Sequence, residues 1–166
     1  MIQVTNSLTD LDEDSPLNID LPVAFISLSE KETHFLGLRL AKLLKKGSIV
    51  ALGGVLGSGK TILAKGICRG LGVKEEITSP TYTIVSEYEG FTENCGKIPV
   101  FHIDAYRLGG IDDFSDIGGE EIIFGNGISL IEWSERLSTL IPPEAIKIDI
   151  KIIEDEKRQV FVYINI

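Results

Sequence analysis

Residues Gly54-Val55-Leu56-Gly57-Ser58-Gly59-Lys60-Thr61 match the pattern G-x-x-x-x-G-K-[ST]. Glycines at this spacing let a backbone turn so tightly that successive N–H groups converge on anionic oxygens. A lysine at the seventh place adds a mobile positive charge for terminal phosphates, and a threonine at the eighth puts a hydroxyl where Mg²⁺ can be held. The expected chemistry is the binding of a nucleoside triphosphate with its metal. The backbone of Gly54, Leu56, Gly57, Ser58 and Gly59 and the ammonium of Lys60 would meet phosphate, and Thr61 would meet the cation.

Binding alone is not hydrolysis, which also needs a carboxylate near the metal and a group that orients water. Asp104 and Glu132 are the candidates, because each closes an apolar run that reads as a strand. One acid can ligate Mg²⁺, directly or through water, while the other positions the nucleophile; the sequence leaves open which does which. Thr81 sits in a Ser-Pro-Thr turn downstream of the loop, where a hydroxyl can respond to the terminal phosphate or the metal as switch segments do. Arg107 could neutralise phosphate charge or bind a partner. Trp133, the one tryptophan, adjoins Glu132 and could pack on a nucleotide or a partner. Arg158, near a C-terminal hairpin turn, could reach the nucleotide, although nothing in the spacing requires it. His34 and His102 read as residues that satisfy local hydrogen bonds.

The elements that must position these residues follow from the pattern of apolar positions. Ser48–Leu52 reads as a buried strand feeding the glycine loop, and Thr61–Cys68 as an amphipathic helix ending before Gly70 and Gly72. A helix opening on the loop adds the positive end of its dipole to an anion site. Ser29-Glu30-Lys31-Glu32 is a capping box; its helix carries Phe35, Leu36, Leu40, Leu43 and Leu44 on one face and closes at Gly47. Val23–Ser27 reads as an edge strand, Tyr82–Tyr88 as a strand, Glu89–Gly96 as a polar hairpin loop, and Ile98–Ile103 as the next strand. The glycine-rich stretch from Gly109 to Gly127 holds one or two short helices around Phe114 and Ile122–Phe124. Ile128–Ile131 is a further buried strand, and a short helix runs from Trp133 to Leu140. Ile146–Ile152 and Gln159–Ile164 alternate as an antiparallel pair around Asp155. Helix and strand interleave and then give way to a β-rich end, so the fold class is α/β, with three layers around a mixed, partly antiparallel sheet. In open sheets of this kind ligands sit at the carboxyl ends of strands. The glycine loop, Asp104 and Glu132 all occupy such ends.

Length and composition limit the alternatives. A chain of 166 residues with 43% hydrophobic residues suits one domain with a real core. Residues 1–22 are expected to be an acidic, solvated and flexible extension, and 23–166 the single domain. No apolar run approaches the roughly 20 residues a membrane span requires, and the acidic N-terminus lacks the features of a secretory signal; the expected location is the cytoplasm. Cys68 and Cys95 form no metal spacing and read as reduced thiols. A formal net charge of −9 argues against tight autonomous binding to nucleic acid.

Gly54–Thr61, Ser79-Pro80-Thr81-Tyr82-Thr83, His102-Ile103-Asp104-Ala105-Tyr106-Arg107-Leu108 and Ile131-Glu132-Trp133-Ser134-Glu135 together resemble the TsaE (YjeE) family in order and spacing. The similarity runs from about Ser27 to the C-terminus. The resemblance implies a P-loop NTPase fold and a small ATPase that binds ATP and Mg²⁺, hydrolyses ATP slowly, and serves threonylcarbamoyladenosine formation in tRNA. It implies work with a TsaB–TsaD pair, in which TsaD transfers the threonylcarbamoyl group and ATP turnover resets the machine. By position it assigns Lys60 to phosphate, Thr61 and Glu132 to Mg²⁺, Asp104 to catalysis, Thr81 to a switch-like loop, and Trp133 to the nucleotide or partner surface. The family usually has Asp after the first loop glycine, where this chain has Val55, and the acidic stretch before about residue 22 has no counterpart in it. A small-molecule P-loop kinase is the main alternative, but it normally needs an arginine-rich lid, and this chain has only five scattered arginines. No Asn-Lys-x-Asp motif marks a GTPase. A nucleotide sensor without turnover would not need both acids.

Overall fold

Strand Ile49–Gly53 has no polar side chain, and Ile49 to Leu52 are all buried. Such a strand must be covered on both faces, which places it at the centre of a parallel region. The computed structural model, which describes residues 3–5, 8, 17–80 and 82–165, puts it there. The strands are β1 (Gln3–Thr5), β2 (Val23–Ser27), β3 (Ile49–Gly53), β4 (Val85–Thr92), β5 (Gly96–Asp104), β6 (Ile128–Glu132), β7 (Ile146–Glu154) and β8 (Lys157–Ile164). They form one sheet in the order β1-β2-β8-β7-β3-β6-β5-β4. β3 lies parallel to β6 and β7, and β5 parallel to β6; β4, β8 and β2 attach antiparallel. The helices are α1 (Glu30–Leu40), α2 (Lys60–Gly70), α3 (Ile111–Asp116) and α4 (Gly119–Ile123), with 3₁₀ turns at Ala41–Leu43 and Ser134–Leu137.

Alternation along the central strands sends side chains into two separate cores. Val50, Leu52, Leu130 and Ile148 pack with Leu36, Leu40, Leu63 and Ile67 of α1 and α2. Ile49, Ile103 and Ile131 pack with Phe114 and Ile123 of α3 and α4 on the opposite face. The result is the three-layer, mixed-sheet P-loop NTPase architecture expected from the sequence. Complete burial of side chains such as Leu63 and Ile67 contributes roughly 1.5–3 kcal/mol each, and it fixes α2, which begins at the glycine loop. α1 and α2 approach until backbone meets backbone. A Cβ on Gly66 would collide with the His34 carbonyl oxygen, and one on Gly37 with the Leu63 carbonyl oxygen. With Gly70, where a Cβ would meet Leu38 O at 2.5 Å, these glycines set the crossing that fixes α2 against α1.

At α1, Ser29 caps the helix by accepting from Glu32 N at 3.2 Å, while Glu32 Oε2 accepts from Leu28 N at 2.8 Å. Several boundaries differ from the sequence reading: the strand expected from Tyr82 begins at Val85, the helix expected from Trp133 to Leu140 is a 3₁₀ turn over Ser134–Leu137, and α1 ends at Leu40 rather than at Gly47. The stretch from Glu89 to Gly96 is not a loop: β4 runs to Thr92 and β5 starts at Gly96. Its polarity belongs to a sheet edge, and Gly90 is required by close packing, since a Cβ there would meet Val100 Cγ2 at 2.7 Å and Leu71 O at 2.9 Å. β2 is not the edge either, because β1 pairs outside it in parallel. Within residues 1–22, Leu8 is buried and Leu17, Ile19 and Leu21 pack against the larger core, so at those positions the chain is part of the domain. Among the described residues, no helix is long and apolar enough to cross a membrane.

Candidate nucleotide and metal site

The glycine loop leaves the end of β3 and runs directly into α2. Gly54 has φ +142°, and a Cβ there would meet Ser58 Oγ at 2.6 Å and Ile150 O at 2.7 Å. Gly59, at φ +108°, is the residue before the first turn of α2. Neither position accepts another L-residue without strain. Leu56, Gly57, Gly59, Lys60 and Thr61 line a cleft of about 490 Å³ together with Glu132, Asp104, Trp133, Tyr106 and Arg107. That volume is in the range of small-ligand sites.

Asp104 and Glu132 end adjacent parallel strands and stand opposite each other in register. Glu132 is only 3% exposed. Its Oε1 and Oε2 accept from the Thr61 hydroxyl at 2.9 and 3.0 Å. Its Oε1 also lies 2.7 Å from His102 Nε2, and the His102 side chain is fully buried. Asp104 is half-buried, and its Oδ1 accepts from Tyr106 N at 3.0 Å. The two acids thus have different environments. Glu132 is enclosed and held by two side chains, while Asp104 is tied through one oxygen and faces the cleft.

Lys60 is buried, with its Nζ donating to the carbonyls of Gly54 at 2.7 Å and Val55 at 3.0 Å. The same ammonium lies 4.0 Å from the centre of the Trp133 ring, a favourable cation–π placement. Burial pushes its pKa below the usual lysine value, against the opposing pull of Glu132, Glu135 and Asp104. Trp133 has φ +56°, the one non-glycine residue in the left-handed region among those described. A bulky side chain held there marks a constrained position. Its ring packs on Tyr106 with centroids 4.9 Å apart, and Arg136 caps Tyr106 at 5.4 Å.

The cleft therefore gathers most of the residues singled out from the sequence. Gly54 and Ser58 shape the loop from behind without lining the cleft. Thr81 lies outside the described residues; its neighbours Ser79, Pro80 and Tyr82 line the cleft. Arg107 is exposed, with its guanidinium 5.6 Å from the Tyr82 ring. Arg158 does not line the cleft, because its guanidinium is bonded to backbone carbonyls, including Ser58 O at 3.1 Å. His102 satisfies a hydrogen bond as expected, but the partner is the site's own carboxylate, a role the sequence reading missed. Its signal was positional: two residues before Asp104 on one strand, it must share a face with it.

For a divalent cation the donor set is sparse. Among the described residues no cluster of three or more His, Cys, Asp or Glu side chains has metal-binding geometry. What is present is a threonine hydroxyl whose proton is committed to a carboxylate, leaving its lone pairs for a cation, with that carboxylate beside it. This fits Mg²⁺ carried in by phosphates and held by one or two protein groups, and does not fit an all-protein cage.

The family model for the threonylcarbamoyl adenosine biosynthesis protein TsaE matches residues 27–160. The tRNA threonylcarbamoyladenosine biosynthesis protein TsaE of Treponema pallidum is 39% identical over 137 residues, covering 82% of this chain and 97% of that protein. The protein of the same name from a Nostoc species is 44% identical over 116 residues, covering 68% of each chain. The crystal structure of Bacillus subtilis YdiB superposes with a TM-score of 0.68 at 30% identity, covering 89% of this chain and 88% of that one.

Proposed function

Because the chain belongs to the TsaE family of tRNA threonylcarbamoyladenosine biosynthesis, we propose that it is a Mg²⁺-dependent ATPase that acts on a TsaB–TsaD complex and resets it by hydrolysing ATP. The observation that carries the reading is the bond from Thr61 to Glu132 at the head of α2, next in sequence to the buried Lys60, whose ammonium feels the Glu132 charge. A hydroxyl, a carboxylate and a buried lysine line one cleft with Gly57 and Gly59 of the loop.

Each residue then has a distinct task. Lys60 exchanges its two carbonyl partners for phosphate oxygens, and α2 supplies its positive dipole end to the same anion. Thr61 and Glu132 would hold Mg²⁺, which when bound would neutralise charge on the phosphates. Both Glu132 oxygens are already engaged by Thr61, and one also by His102, so Glu132 is the fixed acid. Of the two Asp104 oxygens only Oδ1 has a hydrogen-bond partner among the described residues, which leaves Oδ2 to the cleft and suits Asp104 to orient the attacking water. Trp133 and Tyr106 form an apolar wall that limits water near Lys60. The exposed rim, with Leu56 80% and Tyr82 94% accessible, offers apolar contacts to a protein partner.

Steady-state ATP hydrolysis is the test, measured with and without purified TsaB–TsaD. Wild type is expected to turn over slowly alone and to be stimulated saturably. Lys60→Ala is expected to lose ATP binding, and Glu132→Ala to lose Mg²⁺-dependent turnover. Undiminished hydrolysis in both variants would reject the assignments. Phosphate transfer to a metabolite, without stimulation, would support a kinase instead.

A further inference from the structure

A loop that turns its N–H groups toward an anion turns carbonyl groups the other way, and those oxygens need donors of their own. Lys60 serves Gly54 and Val55. Arg158 serves Gly57 and Ser58: its Nε donates to Ser58 O at 3.1 Å, and its Nη2 to Gly57 O at 3.4 Å. Its Nη1 faces the β7–β8 hairpin turn, where it donates to the carbonyls of Glu154, Asp155 and Lys157. One guanidinium therefore ties the hairpin turn to the outside of the glycine loop, across about a hundred residues of sequence. The mount is rigid. Arg158 pairs with Ser27 of β2 on one side and Ile152 of β7 on the other.

We infer that Arg158 is a positioning residue for the phosphate site: it holds the Gly57–Ser58 backbone in its binding conformation from behind, and so sets triphosphate affinity without touching the ligand. The planar fork matters, because it reaches two consecutive loop carbonyls and the hairpin at once, which a single ammonium cannot do. Lys60 cannot substitute, because its own carbonyl bonds must be released when phosphate arrives. Loss of Arg158 leaves the loop to find its shape at the expense of binding. The inference rests on the nucleotide reading above.

The test uses the full chain with Arg158→Lys and Arg158→Met, and titrates both ATP and inorganic triphosphate by calorimetry. Both variants are expected to bind both ligands about tenfold more weakly than wild type or worse, for the loss of two charge-assisted hydrogen bonds. Turnover at saturating ATP is expected to stay within about threefold, since the reacting groups are elsewhere. Without ligand, hydrogen exchange at the amides of Val55 to Gly59 is expected to speed up in both variants. Arg158→Lys keeps the stem and the charge, so it reports on the fork in a folded protein. Full rescue by Arg158→Lys would mean direct attraction to phosphate and would overturn the inference. So would weakened ATP binding with unchanged triphosphate binding, which would mean contact with the base or ribose. Equal affinities in all three proteins would also overturn it while leaving the nucleotide reading intact. Failure of the wild type to bind triphosphate would remove both.

Discussion

Replacing His102 with leucine isolates the support of the central carboxylate. His102 Nε2 lies 2.7 Å from Glu132 Oε1, with neither side chain more than 3% exposed. Leucine fills a similar volume but offers no donor, so the buried carboxylate loses one of its two side-chain partners. A buried acceptor stripped in this way costs about 1–3 kcal/mol, which for a domain of this size lowers the melting temperature by about 3–9 °C. The carboxylate is also freed to turn away from Thr61, and loss of such outer support typically lowers metal affinity or activity by roughly 10–100-fold. His102→Gln keeps an N–H donor of comparable reach and is expected to recover a substantial part of both losses. Thermal melts without ligand, set beside ATP turnover titrated with Mg²⁺, separate the two effects. If His102→Leu melts and turns over like wild type, or if glutamine is as damaging as leucine, His102 does not hold Glu132 in place.

Three further outcomes follow from other parts of the structure. Gly66→Ala inserts a methyl against the His34 carbonyl oxygen at the α1–α2 crossing; overpacking of this kind is expected to cost about 1–3 kcal/mol, read as a lower denaturant midpoint. The lowered pKa of Lys60 gives triphosphate binding a defined pH sign. Phosphate needs the ammonium and raises its pKa, so on the alkaline side affinity is expected to fall as pH rises through the lowered value, below 10.5; a pH-independent affinity across that range would contradict it. Burial pushes the Cys68 thiol up to about 12, whereas Cys95 is exposed. One thiol per chain is therefore expected to react with a thiol reagent in the native protein and two after denaturation.

Much of the site was legible because its signals are local. The glycine loop is contiguous, and an acid that closes an apolar strand falls at the sheet's carboxyl edge whatever the strand order. Asp104 and Glu132 were therefore placed correctly before their strands were known to be neighbours. The middle of the larger core was legible for the same reason, since alternation marks Ile148, Ile150, Val160 and Val162 as inward, whereas Ile152 and Ile164 at the ends of the same runs are exposed. The extent of β4 was not, because an edge strand carries polar residues on a solvated face and looks like a loop from composition. Arg158 was the hardest to read: its partners are carbonyls far away in sequence, and backbone oxygens leave no trace in residue types. His102 lay between these cases, since its face was fixed by strand periodicity but its partner by a pairing between strands that the sequence does not state.

The most direct measurement is a difference density map from crystals of this protein grown with Mg²⁺ and a non-hydrolysable ATP analogue. The account predicts triphosphate density along Gly57 to Thr61, with Lys60 Nζ moved off the Gly54 and Val55 carbonyls and a metal at Thr61 Oγ1 on the Glu132 side. Density for the nucleotide elsewhere, or a loop still capped by Lys60 at saturating analogue, would contradict it.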